Sequence, residues 1–538
     1  MGNPTAASPG GFVAAPRGPK LSGANLVAAG ILLSRISGLI RQRVFAHYFG
    51  NSDAGDAFYA ALKIPNFLQN LFGEGVLSAS FIPVYSNLKA RGQHEDADRV
   101  ASIIGSLLLL VTSILVLLGI ILTPSLIDLI APGFQGQKRD LTIRLVQILF
   151  PGTGLLVMSA WCLGVLNSHH KFFLSYAAPV IWNAAIIAAL VFYGRGDPQN
   201  TLALHTAWGL VAGSALQFGI QLPNSLRLIR RLRPSFNWGF GPVRTVLRNF
   251  VPVVIARGVV QVSAYIDNVL ASLLPTGAVS NLAYAQSIYL LPISLFGMSV
   301  SVAELPAMSS AQGTDEEIAA YLRKRINASL RRIAFFIVPS AAAMLALGDV
   351  IVSALYQSGQ FDRASSLHVW GVLAGSTIGI LASTLGRLYS STFYSLKNAR
   401  TPLNYALLRV LLTTVLGYIC GLYVPRWLGI DVSWGTAGLT ASAGVAGWLE
   451  FILLRRGIDA RIGQTRISIS YMARLWGSAI LAAGLGYGLK RLIGHHHPIL
   501  DAGAILLPFG IAYFGFTALL GIEESRRVMK RVTGAISK

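Results

Sequence analysis

The sequence predicts an all-α polytopic membrane protein of about 14 transmembrane helices, built as two pseudo-symmetric six-helix bundles plus two C-terminal helices. Three observations predict it. Apolar runs of about 20 residues, the length that crosses a bilayer, recur along the whole 538-residue chain. Charge is sparse, at 12% of residues where a soluble domain carries about 25%. Similar motifs also return at an offset of about 225 residues, the span of about six such helices. A transmembrane barrel would need short alternating strands, and the sequence has none.

The first span, centred near Ser37, runs NLVAAGILLSRISGLIRQRVFAHYFG from Asn25 to Gly50 and carries Arg35, Arg41 and Arg43. An arginine at the bilayer centre costs roughly 2.5–3.5 kcal/mol on insertion scales, so such residues face protein or a watery cavity and meet something anionic. The second span, centred near Phe72, runs DAFYAALKIPNFLQNLFGEGVLSASFIP from Asp56 to Pro83. Asp56, Lys63, Asn70 and Glu74 are spaced 7, 7 and 4 apart, which keeps them on one helical stripe. Such a stripe either glues helices as a polar seam or lines a hydrated interior, with Lys63 pairing either carboxylate. Pro65, Gly73 and Gly75 allow this helix to bend.

Spans three to six centre near Leu110, Gly154, Ile186 and Val211. The seventh, near Val259, holds Arg257, and the eighth centres on Gly297. The ninth to twelfth centre near Ala342, Leu381, Val415 and Val445, with Arg409 in the eleventh; Leu481 and Leu507 mark the last two. These breaks divide the chain into a tail at 1–22, a first six-helix bundle at 23–226, a basic linker at 227–241, a second bundle at 242–456, two further helices at 457–521 and a basic tail at 522–538. Leu71-Phe72-Gly73 with Pro83 returns as Leu295-Phe296-Gly297 with Pro306, while Val44 and Ala46 fall opposite Val269 and Ala271. An even number of spans between copies keeps both in one orientation, related by an axis along the membrane normal.

The net charge of +22 follows the loops. Loops on the side of both termini hold about 29 Lys and Arg, against about 8 opposite and about 7 within spans. The positive-inside rule therefore places both termini in the cytoplasm, and the basic loops meet anionic membrane lipids. That distribution argues against nucleic acid as the partner. The two cysteines, Cys162 and Cys420, both lie in spans and suggest no disulfide or metal framework. The first apolar run is long and begins well inside the chain, unlike a cleavable signal peptide. His495, His496 and His497 sit in a loop, where a solvated triplet is the plainer reading than a metal site. The glycine-rich stretch around Gly438 reads as close helix packing, and Thr314 as the cap of a helix opening with Asp315, Glu316 and Glu317.

SRISGLIRQRVFAHYFG followed by GDAFYAALKIPNFLQNLFGEGVLSASFIPV resembles the opening of the MurJ/MviN family of lipid II flippases. Further similar stretches are APGF at 131–134, GVLNSHHKFFLSYAAPVIWN from Gly164, LYQSGQFD from Leu355 and FYSLKNARTP from Phe393. The resemblance implies the fold of multidrug and oligosaccharide–lipid exporters, a bacterial inner-membrane location, a role in peptidoglycan and cell-wall synthesis, and contact with cell-wall synthesis proteins. It implies a cationic central cavity in which Arg35, Arg41, Asp56, Lys63 and Glu74 match the family's pattern. Gln42 departs from a frequent aspartate, and Gln69 and Ser287 from typical arginines. Arg257, and similarly Arg409, either restores a missing charge or pairs with a neighbour such as Asp267.

The implied function is transfer of undecaprenyl-pyrophosphate-linked peptidoglycan precursor from the cytoplasmic to the periplasmic leaflet by alternating access. The departures leave open a second reading, a same-fold exporter of another polyprenyl-linked glycan or of an amphipathic small molecule. No GxxxxGK[ST] loop is present and no acidic metal motif lies at a membrane face, so the chain reads as a transporter without a cofactor rather than an enzyme.

Overall fold

The computed structural model describes residues 23–229, 232–493 and 497–528, without the side chains of 23–29 and 255–264. Among the described residues the elements are helices, with one isolated bridge between Ser358 and Phe361. The first half holds α1 (Gly23–Phe49), α2 (Asp53–Phe72), α3 (Glu74–Ala90), α4 (His94–Ile130), α5 (Gly136–Ser168), α6 (Phe172–Tyr193) and α7 (Gln199–Leu228). The second holds α8 (Gly241–Ser272), α9 (Ala278–Pro292), α10 (Ser299–Ser309), α11 (Asp315–Ala346), α12 (Gly348–Tyr356), α13 (Arg363–Ile378), α14 (Ile380–Ser395), α15 (Arg400–Tyr418), α16 (Val424–Trp427) and α17 (Gly435–Ile462). α18 (Ile469–Ile493) and α19 (Pro498–Leu519) complete it.

Eight elements are long and apolar enough to cross a membrane by composition alone, and the pair α13–α14, bent by 43°, makes a ninth. The long helices α2–α3, α7 and α18 fall short of that test, and with α1 and α8, whose side chains are described only in part, they bring the membrane-length elements to fourteen. Of these, α1 carries three arginines and α2–α3 the charged stripe. A helix of mixed composition crosses a bilayer only when its polar groups face protein or water.

The internal repeat is written into the backbone. Gly50, Gly92 and His170 have positive φ, and so do Gly277, Gly313 and Lys397, at offsets of 227, 221 and 227 residues. Each pair occupies the corresponding corner of its half, and His170 and Lys397 are the non-glycine residues with positive φ among those described. The repeated Leu-Phe-Gly motif marks a helix irregularity in both copies. Gly73 separates α2 from α3, while Gly297 lies in the π-helical turn Ile293–Met298 between α9 and α10. There a Cβ would stand 2.3 Å from Thr384 Cγ2, so glycine lets α14 approach.

Local expectations are met where the sequence carries a mechanism. Thr314 Oγ1 accepts from the Glu317 backbone N–H at 3.3 Å, and Glu317 Oε2 accepts from the Thr314 N–H at 2.9 Å, a capping box. Gly438 and Gly444 bring α17 against the Cys420 carbonyl and Gly379. The linker between the halves is pinned along α4, because the Arg233 and Ser235 N–H groups donate to Ser102 and Ser106. The tail at 1–22, the charged pair Arg230 and Arg231, the histidines His495 and His496, and 529–538 lie outside the described residues. The segment predicted as a basic tail from 522 packs in part against the bundle: Ile522 is buried and Ser525 Oγ donates to the Phe514 carbonyl.

Candidate substrate site between the two halves

α1 packs on α6, and its arginines occupy three surroundings. Arg35 is exposed, and its Nη1 donates to Ser294 Oγ of the second half at 3.3 Å. Arg41 is half-buried with its guanidinium 4.8 Å from the centroid of the Trp182 ring on α6. Neither makes an ion pair among the described residues. Arg43 instead donates to the carbonyls of Ala354 and Leu355, at 2.6 and 3.1 Å, and so caps the last turn of α12.

The stripe on α2 divides between two tasks. Asp56 is 1% exposed and lies at the interface of the halves, where its Oδ2 accepts from Lys138 Nζ and from the Gly277 N–H, both at 2.8 Å. Its Oδ1 accepts from the backbone N–H and hydroxyl of Ser280, both at 2.7 Å. The carboxylate thereby satisfies the otherwise open N-terminal N–H groups of α9. Lys63 pairs with neither carboxylate of its own helix. Asp267 of α8 is within its electrostatic reach, and Tyr265 donates to the Lys63 carbonyl at 2.6 Å. Glu74 is exposed and opens α3, where a negative charge suits the helix N-terminus. Arg257 has its side chain outside the described residues, whereas Arg409 is paired with Glu450 at 3.0 Å.

Two departures from the family pattern touch each other. Gln42 Nε2 donates to Ser287 Oγ at 2.6 Å, and Tyr356 donates to Gln42 Oε1 at 3.3 Å. A neutral hydrogen-bonded pair thus joins the halves.

Around Asp56 the face opposite the basic loops is closed by two layers. The polar layer comprises Asp56 with Lys138, which also meets Asp53 at 2.8 Å, and Gly133, whose N–H donates to Ser272 Oγ. Its rim includes the Gln360 N–H, which donates to the His47 carbonyl at 2.8 Å. APGF and LYQSGQFD are therefore pieces of this closure. A Cβ on Gly133 would lie 2.0 Å from the Ser272 carbonyl oxygen, and one on Gly359, at φ +56°, would lie 2.4 Å from that of His47. Beneath it Tyr59, Tyr284, Tyr356 and Phe361 pack edge-to-face or tilted, with centroids 5.1–5.8 Å apart, a plug drawn from both halves.

Sequence reasoning missed Arg387. It is exposed midway along α14 and lies within electrostatic reach of Tyr289, Arg409 and Glu450. Arg35 and Arg387 both border the segment from Tyr289 to Ser294. The same signal that singled out Arg35, a charge inside an apolar span, was available for Arg387.

A family model described as lipid II flippase MurJ matches residues 45–500. The lipid II flippase MurJ of Burkholderia cenocepacia is 30% identical over 509 residues, covering 91% of this chain and 96% of that one. A probable lipid II flippase MurJ of Vibrio cholerae is 27% identical over 526 residues, covering 93% and 95%. Among solved structures, a lipid II flippase MurJ in an inward closed conformation superposes with a TM-score of 0.74 at 24% identity, covering 92% of this chain and 98% of that one. An inward-facing multidrug resistance transporter of the MATE family, in the MOP superfamily, gives 0.60 at 16% identity, covering 81% and 98%.

Proposed function

The chain belongs to the MurJ family of lipid II flippases, and from that membership we propose that it moves lipid II across the bacterial inner membrane, holding the pyrophosphate head between the two halves. It is a multi-pass membrane protein, and we assign both termini and the basic loops to the cytoplasm.

The observation that carries the binding site is the pair Arg35 and Arg41, two guanidiniums in an apolar helix with no carboxylate partner among the described residues. A pyrophosphate leaving water loses strong hydration, and charge-assisted hydrogen bonds from arginine replace it. The planar fork of each arginine suits two phosphate oxygens at once. Lys63 and Arg387 extend the positive field along the same interface, and Glu74 lies at its basic end. The polyprenyl tail stays in lipid, with the exposed apolar residues of α18 and α19, such as Leu481 and Leu507, as its greasy track.

The closure at Asp56 supports a cycle of alternating access. With the opposite face shut, the arginines are reached from the cytoplasmic side; rocking the halves breaks the Asp56 contacts and exposes the head to the periplasm. Because the head must be released, affinity differs between the two states. Nothing in this cycle requires a catalytic group or a cofactor.

Lipid II binding to the purified full-length chain, followed by native mass spectrometry, tests the assignment. The native chain retains lipid II, and Arg35→Ala and Arg41→Ala weaken that binding by about tenfold or more. Retention unchanged in both variants, or a preference for a different polyprenyl-linked glycan, overturns it.

A further inference from the structure

The segment that joins the halves dips along α4 and returns. The Arg233 and Ser235 N–H groups donate to Ser102 Oγ and Ser106 Oγ, both at 3.3 Å, so the chain descends one turn of α4 between them. It then climbs back: the Phe240 ring lies 4.5 Å from the Arg99 guanidinium, and α8 starts at Gly241. Arg99 and Ser106 are about 10 Å apart along a helix axis. Phe236 and Trp238 therefore form the tip of the dip, closed by the Trp238 N–H donating to the Phe236 carbonyl at 2.8 Å. They are 56% and 72% exposed. One turn beyond Ser106, Leu109, Leu110 and Val111 are exposed on α4, the surface of a helix that faces lipid. The tip thus lies where head groups give way to acyl chains, the depth that tryptophan favours.

We propose that this dip is an interfacial anchor that binds anionic phospholipid in the leaflet on the side of the basic loops. Phe236 and Trp238 insert among the upper acyl chains, and Arg233, Arg244 and Arg248 meet the phosphates. All three arginines are exposed, and none makes an ion pair among the described residues. Arg244 and Arg248 share one face of α8 by their spacing of four. From Arg227 to Val251 the sequence holds no Asp or Glu, so the segment carries no counter-charge of its own.

Aromatic residues inside a basic segment at the edge of the apolar zone suit a lipid surface, because burial and charge then act on the same partner. A guanidinium fork takes two oxygens of one phosphate. A head group such as phosphatidylglycerol brings that phosphate alone, whereas a choline head adds a cation that competes with the arginines. Because this segment joins the halves, lipid held at its tip fixes the pivot about which they rock. That consequence rests on the alternating-access reading; the lipid site itself does not.

The test places a nitroxide at Asn237→Cys, between the two aromatic residues, in the full-length chain with Cys162→Ala and Cys420→Ala. Electron paramagnetic resonance in nanodiscs compares collision with oxygen, which gathers among acyl chains, and with a nickel chelate, which stays in water. Gln93→Cys, before α4, and Leu110→Cys, on the exposed face of α4, give the water and lipid limits. In phosphatidylglycerol the label at 237 meets oxygen and is shielded from nickel, and Phe236→Ser with Trp238→Ser moves it to the water limit. Exchange for phosphatidylcholine lowers the ratio of inserted to released label about fivefold for each arginine engaged. The triple variant Arg233→Gln, Arg244→Gln, Arg248→Gln removes that difference. A label at the water limit in phosphatidylglycerol overturns the proposal and leaves the tip to a soluble partner. Shielding from both reagents overturns it equally, because protein then covers the tip. Insertion equal in the two lipids, or a difference that survives the triple variant, overturns the anionic assignment.

Discussion

Arg35, Arg41 and Arg43 occupy one stretch of α1, yet the fold separates their roles by what each guanidinium touches. Arg43 is committed to the carbonyls of α12, so Arg43→Ala is expected to cost about 1–3 kcal/mol of stability by leaving those acceptors unmet, read as a lowered melting temperature. Arg35 and Arg41 have no comparable commitment, so Arg35→Ala and Arg41→Ala are expected to leave melting unchanged while weakening lipid II binding. Arg→Lys at either position keeps the charge and loses the fork, and should recover only part of that binding. Gln42 and Ser287 make a second prediction because they form one contact. Gln42→Asp or Ser287→Arg alone places an unpaired charge against the Tyr356 plug and is expected to lower stability and activity, whereas the double variant restores an ion pair and recovers both. A double variant no better than its worse parent contradicts this coupling. The sequence shows each residue here but not its partner: Gln42 and Ser287 are 245 positions apart, and only the docking of the halves joins them.

At the scale of elements, the N-termini of α2 and α9 meet through Asp56. Asp56→Ala leaves Lys138 beside Asp53 alone and removes the acceptor from the first N–H groups of α9, at a cost of about 3–5 kcal/mol to the closed state. Spin labels across the opposite face should therefore report longer distances in this variant; unchanged distances would show that the aromatic plug alone holds the face shut. The corner between α5 and α6 gives a prediction in pH. The Tyr85 hydroxyl shares a hydrogen bond with His169 Nε2, 3.0 Å away, and burial, aided by the nearby Lys89 ammonium, pushes the His169 pKa down to about 4. An unfolded histidine near pH 6.5 takes up a proton that the folded one refuses. Stability should accordingly fall as pH drops from about 6.5 to about 4 and lose no more of this component below that. Melting curves of the native chain and His169→Asn should diverge across that window; parallel curves would contradict the neutral imidazole. Helix existence was legible from apolar length, and the capping box at Thr314 from three residues. The purpose of APGF and LYQSGQFD was not, since each acts by close backbone approach to a distant element.

At the scale of the molecule, two copies of one six-span unit face each other, and their junction supplies both the closure and the cationic surface. The repeat was legible as Leu-Phe-Gly and Pro at matching offsets, and the structure adds the matching positive-φ corners. The carboxylate nearest in influence to Lys63 was not legible from the stripe. Helical spacing says which residues share a face but not which helix they face, and α8 brings Asp267 where Asp56 and Glu74 were expected. Arg35 is the residue on which the functional account converges: an exposed intramembrane cation that touches the second half through one neutral hydroxyl. Expression of the native chain and of Arg35→Ala, at equal abundance, in bacteria depleted of their own lipid II flippase tests that account most directly. Growth with the native chain and lysis with the variant is the predicted result; growth supported equally by both would contradict a lipid II site built on this arginine.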